Sequence, residues 1–302
     1  MAFNVSNLTD YTGKSKSILT EKLLFSDSYA NFSTQTGIKF KEYLNYLDNT
    51  VEIQAGVCDL DPSGTTVLTE KEVQVYPMSI LQKWCLSDLD KKSVTAEVGT
   101  GKGNWNNDLK TVLVSNLVDK AKVKLDKWIF QGNTGSGDLF NGLVTKFATD
   151  SDVIDVTTTS AVTAANIDGY ITEMLMAVTQ DLFTNGLLTL HGPMTYFNLY
   201  RQNRITSNMY HDDPKYKGLN MMDIFGGEGT AVMKAEPGLV GNTHMFLTYD
   251  SNIVMLYDEV NEVVRAEMFF VQKERNVYYS AAWKIGVDYY YGKHVVLFTT
   301  SA

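Results

Sequence analysis

Hydrophobic positions change period several times along this chain, and each change marks an element. From Val51 to Cys58 (VEIQAGVC) and from Thr65 to Tyr76 (TTVLTEKEVQVY), β-favouring residues alternate with polar ones. The link DLDPSG places Asp61, Pro62, Ser63 and Gly64 where a turn wants one residue of restricted φ and one of free φ. The pattern predicts an extended hairpin. A two-stranded ribbon is marginal in water unless one face is covered, and the flanking sequence offers no local helix to cover it, so cover is expected from another chain.

The longest helical period runs over Asp108–Phe130, with Leu109, Leu113, Leu117, Ala121, Leu125 and Trp128 at three- and four-residue steps and Val112 and Val118 widening the stripe. Asn107 can cap it and Gly132 can end it. A second amphipathic helix is expected near Asn166–Phe183 through Ile167, Ile171, Leu175, Val178 and Leu182, followed by a strand at LLTLHG and a helix opened by Pro193. From Thr230 onward short β runs dominate (TAVMKAE, MFLTY, NIVMLY, VVRAEMFFV, NVYYSAAWKIGVDYYYG, KHVVLFTT), and their tight spacing predicts antiparallel sheets. Residues 1–37 are polar apart from Ile18, Leu19, Leu23, Leu24 and Phe25, and read as an arm that must dock to be ordered. Helix and strand are mixed without strict alternation, which makes this an α+β chain.

Composition narrows the function. With 44% hydrophobic and 20% charged residues over 302 positions, the chain can bury a sizeable core. A net charge of −9 and a pI near 5.0 oppose phosphate-backbone binding, which needs clustered cations, so contact with DNA is expected to be weak and non-specific. No apolar window is long enough to span a membrane and the start MAFNVSNLTD lacks a signal-peptide pattern, so synthesis in the cytoplasm is expected. Cys58 and Cys85 carry no CxxC or metal-site spacing and read as thiols of a reduced compartment.

Candidate chemistry falls short at each point. In GTGKG (Gly99–Gly103), Ala96 occupies the first glycine's place of a phosphate loop and Gly103 follows Lys102 where Ser or Thr is required. Ser136 has Thr134 and Asp138 where a nucleophile elbow needs glycines. His191, His211, His244 and His294 are too far apart to pair on one helix face. His211, Asp212 and Asp213 could supply metal oxygens and a nitrogen, but Pro214 and the polar neighbours favour a solvated loop. The aromatic run Tyr278, Tyr279, Trp283, Tyr289, Tyr290 and Tyr291 suits sheet faces and subunit interfaces better than ligand stacking. No catalytic residue, cofactor or metal is predicted.

The succession of arm, hairpin, long helix, mixed α/β stretch and closing strands resembles the major capsid proteins of tailed bacteriophages, the HK97-like fold. GNTGSGDLFNGL after the long helix resembles that family's Gly-rich turn and Gly-Leu pair, and GLVGNTHMFLTYDSNIVMLYDE its turn, buried strand and second strand into a surface acidic residue. The resemblance implies an N-terminal arm over 1–37, an E-loop hairpin region over 38–84 and a peripheral domain over 85–164 with its spine helix at 108–130. It further implies an axial domain over 165–270 and C-terminal strands over 271–302 returning to the peripheral domain. It implies an icosahedral phage head built from hexamers and pentamers of this chain around double-stranded DNA. Because no long N-terminal helical extension is present, a separate scaffolding protein is implied, with a portal and decoration proteins as further partners. No residue matches the Lys and Asn that cross-link some relatives. An encapsulin-like nanocompartment shell is the nearest alternative, and a soluble enzyme with a site near His211, Asp212 and Asp213 is ranked below it.

Overall fold

A computed structural model of the chain describes residues 29–49, 64–85, 107–179, 182, 187–207, 221–224, 231–258, 265–271, 273–274 and 276–300. The strands are β1 (Ser33–Gln35), β2 (Lys41–Asn49), β3 (Thr66–Gln74), β4 (Tyr76–Cys85), β5 (Ile154–Thr158), β6 (Leu188–Gly192) and β7 (Met221–Asp223), then β8 (Ala231–Ala235), β9 (Met245–Thr248), β10 (Ile253–Tyr257), β11 (Arg265–Val271), β12 (Asn276–Tyr289) and β13 (Val296–Thr300). The helices are α1 (Asn107–Gln131), α2 (Leu143–Phe147), α3 (Ile167–Met176) and α4 (Met194–Thr206).

Among these residues the strands form three sheets. In the first, β12 is paired along 276–285 with β4, and on its other edge with β11 over 276–282 and β10 over 285–289; β1 adds to β10 in parallel. Period-two alternation turns Val277, Tyr279, Ala281, Trp283, Ile285, Val287 and Tyr289 into one core. Against that face lies α1, whose 25 residues reach roughly 37 Å at the helical rise. The second sheet has the order β5-β13-β9-β6-β8-β7 and carries α3 and α4 through a second core of Ile167, Ile171, Phe197, Tyr200, Leu190 and Met233. The third is the two-stranded ladder of β2 and β3.

Several expectations need correction. The strand that pairs with Thr66–Gln74 is Lys41–Asn49, in a register that sets Asn49 opposite Thr66; the run Val51–Cys58, expected as the partner, lies outside the described residues, as do the 99–103 loop and the His211, Asp212 and Asp213 group. The strand β4 was not anticipated, because YPMSILQKWC has no clean alternation. Its ladder partner among the described residues is β12, some two hundred residues away. The sheets are mixed and not simply antiparallel: β6 with β8, β5 with β13 and β1 with β10 run parallel. The stretch 165–270 contributes β10 and β11 to the first sheet, whereas β13, from the closing stretch, lies inside the second. Of the two acidic residues that close the run GLVGNTHMFLTYDSNIVMLYDE, Asp258 is 4% exposed and pairs with Lys284 at 2.5 Å, and Glu259 lies outside the described residues.

The face of α1 also differs. Val114, Val118, Leu125, Ile129 and Phe130 are buried in the first core, while Leu117, Ala121 and Trp128 are only partly covered. The apolar stripe is therefore wide: one half meets the sheet and the other half looks into a groove described below. Val118→Asp is expected to abolish cooperative folding, since an unpaired carboxylate in a fully enclosed position costs several kcal/mol, whereas Leu117→Asp keeps a cooperative melt at lower temperature. Circular-dichroism melts of the two variants decide this, and equal loss in both would mean that Leu117 shares the core position.

Candidate functional site

The hairpin formed by β2 and β3 is fixed at one end and bare at the other. At its root, Ile38, Leu44, Val73 and Val75 pack with Val254 and Leu256 of β10 to make a small third core. Gly286 of β12 lies directly under this crossing: a Cβ there would overlap the Gln74 carbonyl oxygen, so the absence of a side chain is what lets the root sit on the sheet. The register of β12 puts Asp288 on the same face as Gly286, and both are buried.

Asp288 anchors two lysines from different elements. Lys71 of β3 reaches Oδ1 at 2.8 Å, and Lys146 of α2 reaches Oδ2 at 2.5 Å. The Lys71 ammonium also donates to the Tyr289 carbonyl at 3.1 Å and lies 3.2 Å from the centre of the Tyr289 ring. Lys146 donates to the Val287 carbonyl at 2.7 Å. Burial alone would raise the Asp288 carboxyl; the adjacent Lys146 and Lys71 charges overcome it and hold the group below the ordinary carboxylate range. Burial is also the main influence on Lys71 and lowers it, against the pull of Asp288. The net effect is a hydrogen-bonded charge knot that ties the hairpin root to the middle of its own subunit.

Away from the root, cover ends. Along β3, Thr66, Val67, Leu68, Glu70 and Glu72 are exposed on both faces of the ladder, with Val67 at 53% and Leu68 at 60%. Tyr43 of β2 and Phe40 just before it are each 57% exposed. The nine-pair ladder would extend roughly 30 Å at the strand rise, and Thr66, Val67 and Leu68 at its outer end are left exposed by the described residues.

A second exposed apolar surface lies on the far side of the first core. A groove of about 690 Å³ runs between α1 and β4, floored by Leu113, Leu117, Trp128, Met78, Trp84 and Trp283, with Lys120 and Lys124 among its lining. The indole Nε1 of Trp283 is buried with no hydrogen-bond partner. The turn that follows α1 is by contrast fully bonded within itself. Trp128 Nε1 donates to Asp138 at 2.8 Å, Asn133 caps Gly135, Gly137 takes φ of +90°, and Gly142 N–H donates to the Gly132 carbonyl at 2.8 Å before α2 begins at Leu143. Ser136 is exposed in that turn.

Among the described residues, no group of three or more His, Cys, Asp or Glu side chains could hold a metal ion, and no helix is long and apolar enough to cross a membrane. The histidines are dispersed: His294 meets the Tyr249 hydroxyl at 2.8 Å, His244 meets the Asn242 side chain, and His191 is buried between two carboxylates. Tyr279, Trp283 and Tyr289 fill the first core, as expected for aromatics on a sheet face. Lys71, Lys146 and Asp288 were missed by sequence reasoning, because their positions share no period or motif; a buried aspartate at the end of an apolar β run was the one available signal.

Neither a protein-family profile nor any curated protein sequence matches the chain. Solved structures do. The chain is similar to the capsid of a native GTA particle, with a TM-score of 0.63 and 12% identity over 92% of this chain and 91% of the other. It is similar to the capsid of Myoviridae phage XM1, at 0.57 and 12% over 90% of each, and to a virus-like particle from Pyrococcus furiosus, at 0.54 and 9% over 96% and 100%. The fold is that of the HK97-like capsid proteins.

Removing the anchor should free the hairpin without touching its ladder. Asp288→Asn is expected to destabilise the chain by about 3 kcal/mol at pH 7, because two ammonium groups are left facing a neutral amide. Acid should have a related effect in the parent: the folded-state value of Asp288 is depressed, so its contribution is present above the ordinary carboxylate value near 3.9 and is lost as pH falls below it. Denaturant melts and amide exchange over 66–74 measure both; unchanged exchange in Asp288→Asn would show that the root is held by packing alone.

Proposed function

We propose that this HK97-like chain is the structural subunit of an icosahedral phage head, assembling into hexamers and pentamers that enclose packaged double-stranded DNA. One observation carries the proposal: a hairpin anchored in its own subunit at Lys71 and Asp288 presents Tyr43, Val67 and Leu68 as exposed side chains that no other described residue buries. Exposed strand edges and apolar patches of this kind mark surfaces that pair with another chain. A closed symmetric shell offers such a partner to every copy at once.

In this proposal the hairpin serves as the E-loop, α1 as the spine helix of a peripheral domain, and the six-stranded sheet with α3 and α4 as the axial domain. The apolar groove beside α1 is a further surface for a neighbouring subunit or for a separate scaffolding protein. A portal and decoration proteins complete the assembly. The chain acts by fit and not by catalysis; it is made in the host cytoplasm and resides in the virion. Its net charge of −9 suits a wall that contacts packaged DNA weakly.

An encapsulin-like compartment is the second reading, supported by the similarity to the virus-like particle from Pyrococcus furiosus. The contents of particles purified from the native source separate the two, nucleic acid supporting the head and a packaged enzyme the compartment.

The double variant Val67→Glu, Leu68→Glu tests the assembly role. It should leave the melt of the dissociated subunit within about 0.5 kcal/mol of the parent, as for other exposed positions, while cutting particle yield at least roughly tenfold, the effect of charge placed in an interface hot spot. Electron microscopy with light scattering reads the yield. Normal particles would remove the hairpin from the assembly surface.

A further inference from the structure

Where residues 29–32 meet the two large cores, five charged side chains come together, His191, Glu236 and Asp126 buried and Lys234 and Asp250 half-buried. His191 of β6 is 0% exposed; its Nδ1 lies 2.9 Å from Glu236 Oε1 and its Nε2 lies 3.1 Å from Asp250 Oδ1. Lys234 of β8 reaches the same Glu236 oxygen at 2.9 Å. The imidazole stacks on Phe246 at 4.7 Å and receives the edge of Phe32 at 5.8 Å. Asp126 of α1 is 3% exposed and close enough to Glu236 to feel its charge, with Lys122 on its own helix opposing. The backbone between these groups is in close contact: a Cβ on Gly238 would overlap the Asp126 carbonyl oxygen, and Gln131 Nε2 donates to the Gly238 carbonyl at 2.5 Å.

Charge balance in this cluster depends on one proton. Both imidazole nitrogens face carboxylate oxygens, and a neutral ring has a single N–H, so His191 is the imidazolium. Within these five groups His191 and Lys234 then neutralise Glu236 and Asp250, leaving Asp126 as the carboxyl with no cation of the five, while the half-buried Lys122 opposes it only through its charge. Asp126 Oδ1 and Glu236 Oε2 are both buried without a hydrogen-bond partner, which is costly for two anions and is relieved when Asp126 carries a proton.

The same groups hold the segment Tyr29–Phe32. The Tyr29 side chain bonds Asp126, the Asn31 side chain bonds Asp250, Phe32 packs on His191 and Phe130, and Lys234 lies 5.8 Å from the centre of the Phe32 ring. Immediately afterwards β1 joins β10.

We propose that this junction is a proton-operated latch: with Asp126 protonated the cluster is neutral and grips Tyr29–Phe32 against the body, and ionisation of Asp126 leaves one unbalanced buried negative charge that loosens the segment. The latch belongs to the single subunit and acts whether or not the chain assembles.

The electrostatics support this direction. Burial pushes the Asp126 carboxyl up to about 6, with Tyr29 and Lys122 opposing and Glu236 reinforcing the rise. Burial opposes charge on His191, but the hydrogen bonds and charges of Asp250 and Glu236 outweigh it and the group titrates above its ordinary value. Asp250 is opposed by burial and held far below the carboxylate range by His191, Lys234 and Asn31. For Asp126 and His191 the closed-state value exceeds the open-state value, so their stabilisation is full below the open-state value and is lost as pH rises through the closed-state one. Asp126 governs the window from about pH 4 to pH 6, and His191 the region above pH 6.5. Asp250 acts oppositely and only below about pH 4.

Amide exchange over residues 29–38 of the full chain, corrected for intrinsic rates, tests the latch between pH 4.5 and 7.5, with light scattering confirming constant assembly state and β9 amides as the internal control. Opening should rise by up to roughly tenfold per pH unit until about pH 6 in the parent, and Asp126→Asn should flatten that limb while leaving the rise above pH 6.5. Carboxyl-carbon NMR of the parent gives a second readout that needs no variant, with an Asp126 midpoint near pH 6 expected. A pH-independent segment, an Asp126→Asn profile identical to the parent, or an Asp126 midpoint in the ordinary carboxylate range would each overturn the proposal.

Discussion

One strand, β12, constrains almost everything else. It is fourteen residues long and has ladders on both edges, with β4 along 276–285 and with β11 and β10 along 276–282 and 285–289. One face supplies the aromatic and aliphatic wall against which α1 packs, and the other carries Gly286 and Asp288, which seat the hairpin root. A strand with both edges and both faces committed cannot slip: a one-residue shift would turn Tyr279 and Trp283 outward and Asp288 into the core. The positions of the long helix and the projecting ribbon are therefore consequences of a single register.

Buried charge is used where elements leave the body. Asp288 with Lys71 and Lys146 holds the hairpin root, and His191 with Glu236, Asp250 and Lys234 holds the residues that precede β1. Buried ion pairs contribute little net stability compared with apolar packing, because desolvation offsets the attraction. Their geometry is directional, however, and an element held by two or three short charged contacts leaves at a defined angle. That property suits extended parts whose far ends are not buried by the described residues.

Apolar exposure is distributed in a matching way. Tyr43, Val67 and Leu68 on the hairpin and the groove beside α1 lie on different sides of the first core, so one copy can both offer a ribbon and present a receiving surface. Apolar surfaces exposed in this way are of the kind that pair with a partner, and in the proposed shell that partner is another copy.

Local pattern was enough to find the long helix, the helices of the second core, most late strands and the presence of a hairpin, because helix and strand periods are written in nearest-neighbour spacing. It also yielded the order of parts on which the resemblance rests. What it could not reach was set by residues far apart in the chain. The partner of Thr66–Gln74 is Lys41–Asn49, whose sequence KEYLNYLDN alternates no better than VEIQAGVC, and only the seating of Leu44 and Val73 on β10 decides between them. Likewise β4 is a strand because β12 offers it a ladder, and the buried half of the α1 stripe is chosen by where the sheet lies. The two charge knots include pairs separated by 45 to 217 positions, and no periodicity records such pairs. Sequence determined which elements form, since that depends on local backbone preference and amphipathic period; tertiary structure alone decided which faces, edges and charges meet, since burial energy is defined only once the layers are stacked.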